Sequence, residues 1–137
     1  SLFEPNALQL EQEGYGYVVA SIGELGGVVP YTTYFARTSY LEENEDTIQD
    51  FTSAIQKGLD FVHNSTDEEV AQAILPQFPD TSLEDLTEVI KRYREIDAWP
   101  TTTEFTEESF NHLQEIMEAA NQLDTRAPYG DLTYNVK

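Results

Sequence analysis

The sequence predicts a truncated α/β domain, with a little sheet at the front and helices behind it. Two short segments near the start, Tyr17–Ile22 and Tyr31–Ala36, are rich in β-branched and aromatic residues and bounded by Gly or Pro, the pattern of strands. From residue 39 onward, apolar residues recur at helical spacing behind Ser and Thr residues placed to cap them. A two-stranded element is marginal by itself and needs more sheet or a packed helix layer. The expected architecture is therefore a few N-terminal strands followed by four to five helices, and it looks like half of a larger lobe.

The elements follow in order. Pro5 suits the first turn of a helix, where its missing N–H costs nothing, and Asn6 to Glu13 continue it. Gly14 and Gly16 end that helix and Tyr17–Ile22 reads as the first strand. "GELGGVVP" reads as a loop, broken by Gly26-Gly27 and Pro30, and Tyr31–Ala36 as the second strand. Ser39 with Glu42 three residues on has the form of a capping box opening a short helix. Ile48, Phe51, Ile55, Leu59 and Val62 place a helix over Asp46–His63. Ser65 with Glu68 opens another, carrying Val70, Ala71, Ile74 and Leu75 inward until Pro76. Ser82 caps a third, with Leu83, Leu86, Val89, Ile90, Tyr93 and Ile96 on its apolar side. Thr106 caps a fourth, with Phe110, Leu113, Met117 and Ala120 as its stripe. The closing "DTRAPYGDLTYNVK" reads as a loop packing over a neighbour.

The 137 residues fit one domain, and seven basic against 26 acidic residues leave a formal charge of −19. Such a surface repels phosphate backbones and anionic headgroups, which argues against nucleic-acid binding. There is no cysteine, so disulfides, thiolate metal sites and a cysteine nucleophile are excluded from this chain. No run approaches a membrane span and no basic-then-apolar segment opens the sequence. A complete chain of this kind would be expected in the cytoplasm, whereas in a piece of a longer one the address would lie elsewhere.

No HExxH, GxSxG or glycine-rich phosphate loop occurs. His63 and His112 fall on different predicted helices, where solvated or capping roles are the expectation. Leu41–Asp46, "LEENED", clusters four acids but lacks the alternating ligands and turn glycine of a calcium loop, and reads as a solvated helix junction. The acids of Glu104–Ser109 suit a helix N-terminus. Neither a metal nor a cofactor is expected, and nothing demands an enzyme. Phe3, Tyr15, Tyr17, Tyr31, Tyr34 and Phe35 crowd the front. They would suit a pocket for a small organic ligand, although core and edge packing explains them more simply.

Phe3-Glu4-Pro5, then Gly14-Tyr15-Gly16, then Tyr17–Ile22 resemble in order and spacing the "WEP" or "FEP" element, helix, G-x-G and strand of one family. This family is the nitrate/sulfonate/taurine and thiamine-precursor (NMT1/THI5-like) substrate-binding proteins of ABC importers. Pro30-Tyr31-Thr32 and "ARTSYLEENEDTIQDFTSAIQKGLDFV" are similar to its P-Y-t segment and the helix start after it. Asp97-Ala98-Trp99, Phe110–Ala120 and "APYGDLTYN" resemble its later segments. Glu45 departs from the family's usual proline, a change either residue accommodates at a helix start. The likeness covers nearly the whole chain, but as the C-terminal part, a little under half, of a two-lobed protein.

The resemblance implies a partial lobe of the type 2 periplasmic-binding-protein fold, with residues 1–36 as hinge-side helix and strands and 37–137 as a mainly helical remainder. It implies a binder without chemistry of its own, closing on a small solute and delivering it to a membrane permease. It also implies an extracytoplasmic location, often as a lipoprotein, with signal and anchor outside these residues. Carried over by position, Phe3, Glu4, Tyr31, Thr32 and Thr33 are the expected ligand-binding residues. Glu4 would accept bonds from a ligand amine, or else merely complement a helix N-terminus. An aromatic, carboxylate-bearing wall would suit an aminopyrimidine thiamine precursor better than nitrate or a sulfonate, which call for arginine or N–H donors. Two alternatives stand beside this. One is an acidic helical module that binds a basic partner. The other is a pyrimidine-synthesis enzyme of the same fold, whose cysteine-rich motif this chain lacks. Exposed apolar faces or sheet edges in such a piece would also favour a homodimer.

Overall fold

The computed structural model describes residues 1–134, and the last three residues of the closing segment lie outside it. Among the described residues every regular element is helical: α1 (Asn6–Gln12), α2 (Ile22–Gly26), α3 (Thr38–Glu43), α4 (Glu45–Asn64), α5 (Asp67–Ile74), α6 (Leu83–Glu95), α7 (Glu107–Ala119) and α8 (Tyr129–Leu132). A short 3₁₀ turn, Leu75–Gln77, with Pro76 inside it, ends α5. The chain divides into two compact units, one of residues 1–25 and 57–101, the other of residues 26–56 and 102–137.

The α/β expectation is corrected: neither Tyr17–Ile22 nor Tyr31–Ala36 is a strand, and no sheet exists among the described residues. The reason is the want of a partner. A strand is stabilised by its ladder, and β-branched composition cannot supply one. The Val18 N–H donates instead to Glu11 Oε1 at 2.6 Å. A second signal also competes at Ile22. The Ser21 hydroxyl accepts the Glu24 N–H at 3.1 Å, an N-cap that turns Ile22–Gly26 into α2 where a strand end and a loop were expected. Gly27, just beyond, has φ +74°, the left-handed conformation that glycine supplies after a helix.

The unit of residues 1–25 and 57–101 holds the best-formed core. Val70, Ala71, Leu86 and Ile90 are buried together, with Val62, Ile74, Leu75, Leu83 and Trp99 packed around them. α5 packs against α6 through this cluster. Each helix is capped as its residue types require. Thr66 and Glu69 form a reciprocal capping box on α5, one residue later than the Ser65–Glu68 pair the sequence suggested. Ser82 accepts the Asp85 N–H at 3.0 Å on α6, as expected. Arg94 reaches from the last turn of α6 to the carbonyls of Val62 and Ser65 at 2.5 and 2.6 Å, covering orphan acceptors at the end of α4. Tyr93 meets Trp99 edge-on at 5.5 Å.

In the unit of residues 26–56 and 102–137, Phe105, Phe110 and Tyr129 form an aromatic cluster, with the Tyr129 hydroxyl donating to the Phe105 carbonyl. Gln114 is buried because its amide both donates to the Ala127 carbonyl, at 3.3 Å, and accepts the Ala127 N–H, at 2.7 Å. The expected closing loop is thereby held on α7, and Tyr129–Leu132 within it are helical. α3 begins at Thr38 behind Arg37, without a side-chain cap, so Ser39 lies inside the helix. Thr106 caps α7 as expected, accepting the Ser109 N–H at 3.2 Å. Thr106→Ala is expected to cost about 1 kcal/mol, and Thr106→Asp to recover most of it. Thermal unfolding of the pair checks this.

Candidate functional site

The expected ligand-binding residues fall into two groups, one in each compact unit. Phe3 and Glu4 precede α1, and Tyr31, Thr32 and Thr33 lie in the irregular segment after Pro30. Phe3 and Tyr31 present 65% and 77% of their surfaces to solvent, and Thr32 and Thr33 are exposed.

Glu4 stands apart from these four. Its side chain is only 11% exposed, and Oε1 lies 3.0 Å from Arg92 Nη1. Oε2 accepts the Leu8 N–H of α1 at 2.9 Å. The carboxylate therefore satisfies a helix-N-terminal donor and a guanidinium at once. Arg92, on α6, also reaches Glu11 Oε2 at 2.6 Å. Glu11 is held below its ordinary value by the Val18 N–H and then by Arg92. Burial works against the Arg92 cation, but its bonds to Glu11 and Glu4 outweigh that and hold it above the ordinary guanidinium range. The network ties the start of the chain to α6, and its members are 73 to 88 residues apart when Gln12–Asp85 is included. No local pattern announces such pairs.

The same unit carries an open depression of about 820 Å³ walled by Glu68, Glu84, Asp85 and Glu88, with Gln12 and Ser82 beside them. Of these acids the sequence singled out only Glu68, as the capping partner of Ser65. Asp85 is held below its ordinary value by the Gln12 amide and then by the Ser82 hydroxyl, which occupy it as an acceptor. No group of three or more potential ligands able to hold a metal ion occurs among the described residues.

Both histidines bond to backbone carbonyls. His63 Nε2 is 3.0 Å from the Pro100 oxygen and His112 Nε2 is 2.8 Å from the Gly26 oxygen. No helix of the described residues is long and apolar enough to cross a membrane.

Residues 2–69 match the model of the NMT1/THI5-like family. Over 131 residues, 96% of its length, the chain is 39% identical to a Bacillus subtilis (strain 168) protein named "Putative binding protein YtlA". The chain thus belongs to the NMT1/THI5-like family. It spans 39% of the length of the Bacillus relative. No solved structure matches it.

Proposed function

We propose that the chain is part of the solute-capturing component of an ABC importer, working outside the cytoplasm and handing a small molecule to a membrane permease. One observation carries the reading: 39% identity to a named binding protein runs through 96% of the chain, beyond the residues matched by the family model. Phe3, Tyr31, Thr32 and Thr33 are the proposed solute-facing residues. The exposed ring of Tyr31 suits a flat heterocycle, and the hydroxyls of Thr32 and Thr33 beside it in sequence can donate or accept at its edge. Glu4 takes a positioning role, fixing the residues around Phe3 through Arg92 and the Leu8 N–H. A thiamine-type aminopyrimidine is the favoured solute, ahead of taurine or nitrate.

Isothermal titration of the protein with an aminopyrimidine, taurine and nitrate tests this. Saturable binding of the aminopyrimidine is expected, and Tyr31→Ala should weaken it by about tenfold, the loss of one stacked ring. Absence of binding by all three solutes would overturn the reading. The acidic-module alternative gains from one observation, that α5 and α6 build a core with no strand. Salt-sensitive binding of a polylysine peptide, with no solute bound, would move the assignment there.

A further inference from the structure

We propose that His112 and Phe51 are positioning residues for solute binding, holding the chain on either side of Tyr31, Thr32 and Thr33 so that these three are presented already ordered. Their role rests on the solute-binding reading above and extends it to two helices outside the proposed solute contacts. Every residue involved lies in the unit of residues 26–56 and 102–137. Residues 27–37 form neither helix nor strand, so their placement depends on side chains that reach them from regular elements.

One hold is at the start of this segment. The carbonyl of Gly26, the last residue of α2, lies 2.8 Å from Nε2 of His112 on α7. A carbonyl only accepts, so Nε2 carries a proton and donates. Gly27 then turns the chain with φ +74°, and a Cβ placed there would touch His112 Nε2 at 3.4 Å. The turn therefore lies directly against the imidazole. Nδ1, on the other side of the ring, faces Glu115 Oε2 of the same helix at 3.6 Å, a contact that steers the ring without involving the segment.

The second hold follows Thr33 directly. The Tyr34 ring meets that of Phe51, on α4, edge-on, with centroids 4.8 Å apart and planes at 83°, a favoured aromatic geometry. Tyr34 remains 76% exposed and Phe51 44% exposed. Neither ring is buried in a core, and their contact serves chiefly to fix the residue beside Thr33. With both sides held, residues 27–33 have fewer arrangements to lose when a solute binds. The measured dissociation constant is the intrinsic one divided by the fraction of molecules whose segment is in place, and each hold raises that fraction.

Trypsin cleavage after Arg37 and calorimetric titration with an aminopyrimidine, run on the same variants, test this. Arg37 is exposed at the end of the segment, so its cleavage rate, followed by the mass of the two fragments, reports how often the segment opens. His112→Leu lacks the donor and Phe51→Leu lacks the ring. Each should speed cleavage and raise the dissociation constant by about fivefold, the loss of one modest contact. His112→Gln, which keeps an amide donor, and Phe51→Tyr, which keeps a ring, should restore both. Gly27→Ala, strained at positive φ, should act as the leucine substitutions do while leaving α4 and α7 untouched. Far-ultraviolet dichroism matching the parent shows that each variant folds. Unchanged cleavage in His112→Leu and Phe51→Leu would overturn the holds, whatever the solute does. Faster cleavage with unchanged affinity would overturn their link to binding. A parent that binds no aminopyrimidine would overturn the solute-binding reading and the positioning role with it, while cleavage still decides whether the segment is held.

Discussion

Leu86→Ala is expected to destabilise the unit containing α5 and α6 by about 2–5 kcal/mol, the range for emptying a leucine site in a well-packed core. Leu86 is 1% exposed and sits among Val70, Ala71 and Ile90. Two of its helices' packing residues are alanine or valine, too small to collapse into the space left behind. Small domains are stabilised by only about 5–15 kcal/mol in all, so this one substitution removes a large share of the margin. Trp99, the sole tryptophan, packs against the cluster, and its fluorescence reports this core directly in a denaturant titration. The control is Ile22→Ala. Ile22 is 71% exposed, and its truncation should shift the same transition by less than about 0.5 kcal/mol. Equal effects at the two sites would mean that the α5–α6 cluster is not the centre of stability.

That core was legible in the sequence, and the front of the chain was not. The stripe Leu86, Val89, Ile90 repeats at helical spacing behind Ser82, and period and cap give the same answer. All three are buried in the structure. At Tyr17–Ile22 the local signals conflict: β-branched composition favours a strand, while Ser21 followed by Glu24 favours a helix start. A helix satisfies its own backbone groups and a strand cannot, so the cap decides where no ladder is available. Gln114 shows the opposite limit. A glutamine at that position reads as solvent-facing, and only its mutual bonds with Ala127 explain its burial. For the candidate site, the sequence placed Glu4 beside a helix N-terminus, which the Leu8 N–H fulfils. Arg92, 88 residues away, could not be assigned to it, because nothing local links an arginine on one helix to a carboxylate at the chain's start.

Arg92→Ala is expected to lower the thermal midpoint by on the order of 5 °C and to change how stability depends on pH. The parent side chain lies 3.0 Å from Glu4 and 2.6 Å from Glu11, with side-chain exposures of 27, 11 and 19% respectively. Removing it leaves two largely covered carboxylates without their shared cation, the situation in which a broken ion pair costs more than the pair contributed. Arg92→Lys should recover only part, since one ammonium cannot present the guanidinium's forked donors to two acids at once. Glu11 supplies the pH signature. Its folded-state value is held below the ordinary 4.5 by the Val18 N–H first and Arg92 next. Its stabilisation is therefore fully present above that ordinary value and is lost as pH falls through the lower, folded-state value. In Arg92→Ala only the Val18 bond remains, so Glu11 contributes less at neutral pH and has less to lose in acid. The gap between parent and variant should be widest at neutral pH and narrow below about pH 4.5 as Glu11 is protonated in both. Thermal melts of both proteins across that range decide it. A gap that stays constant into acid would show that Arg92 acts through packing of its aliphatic stem rather than through the carboxylates it joins.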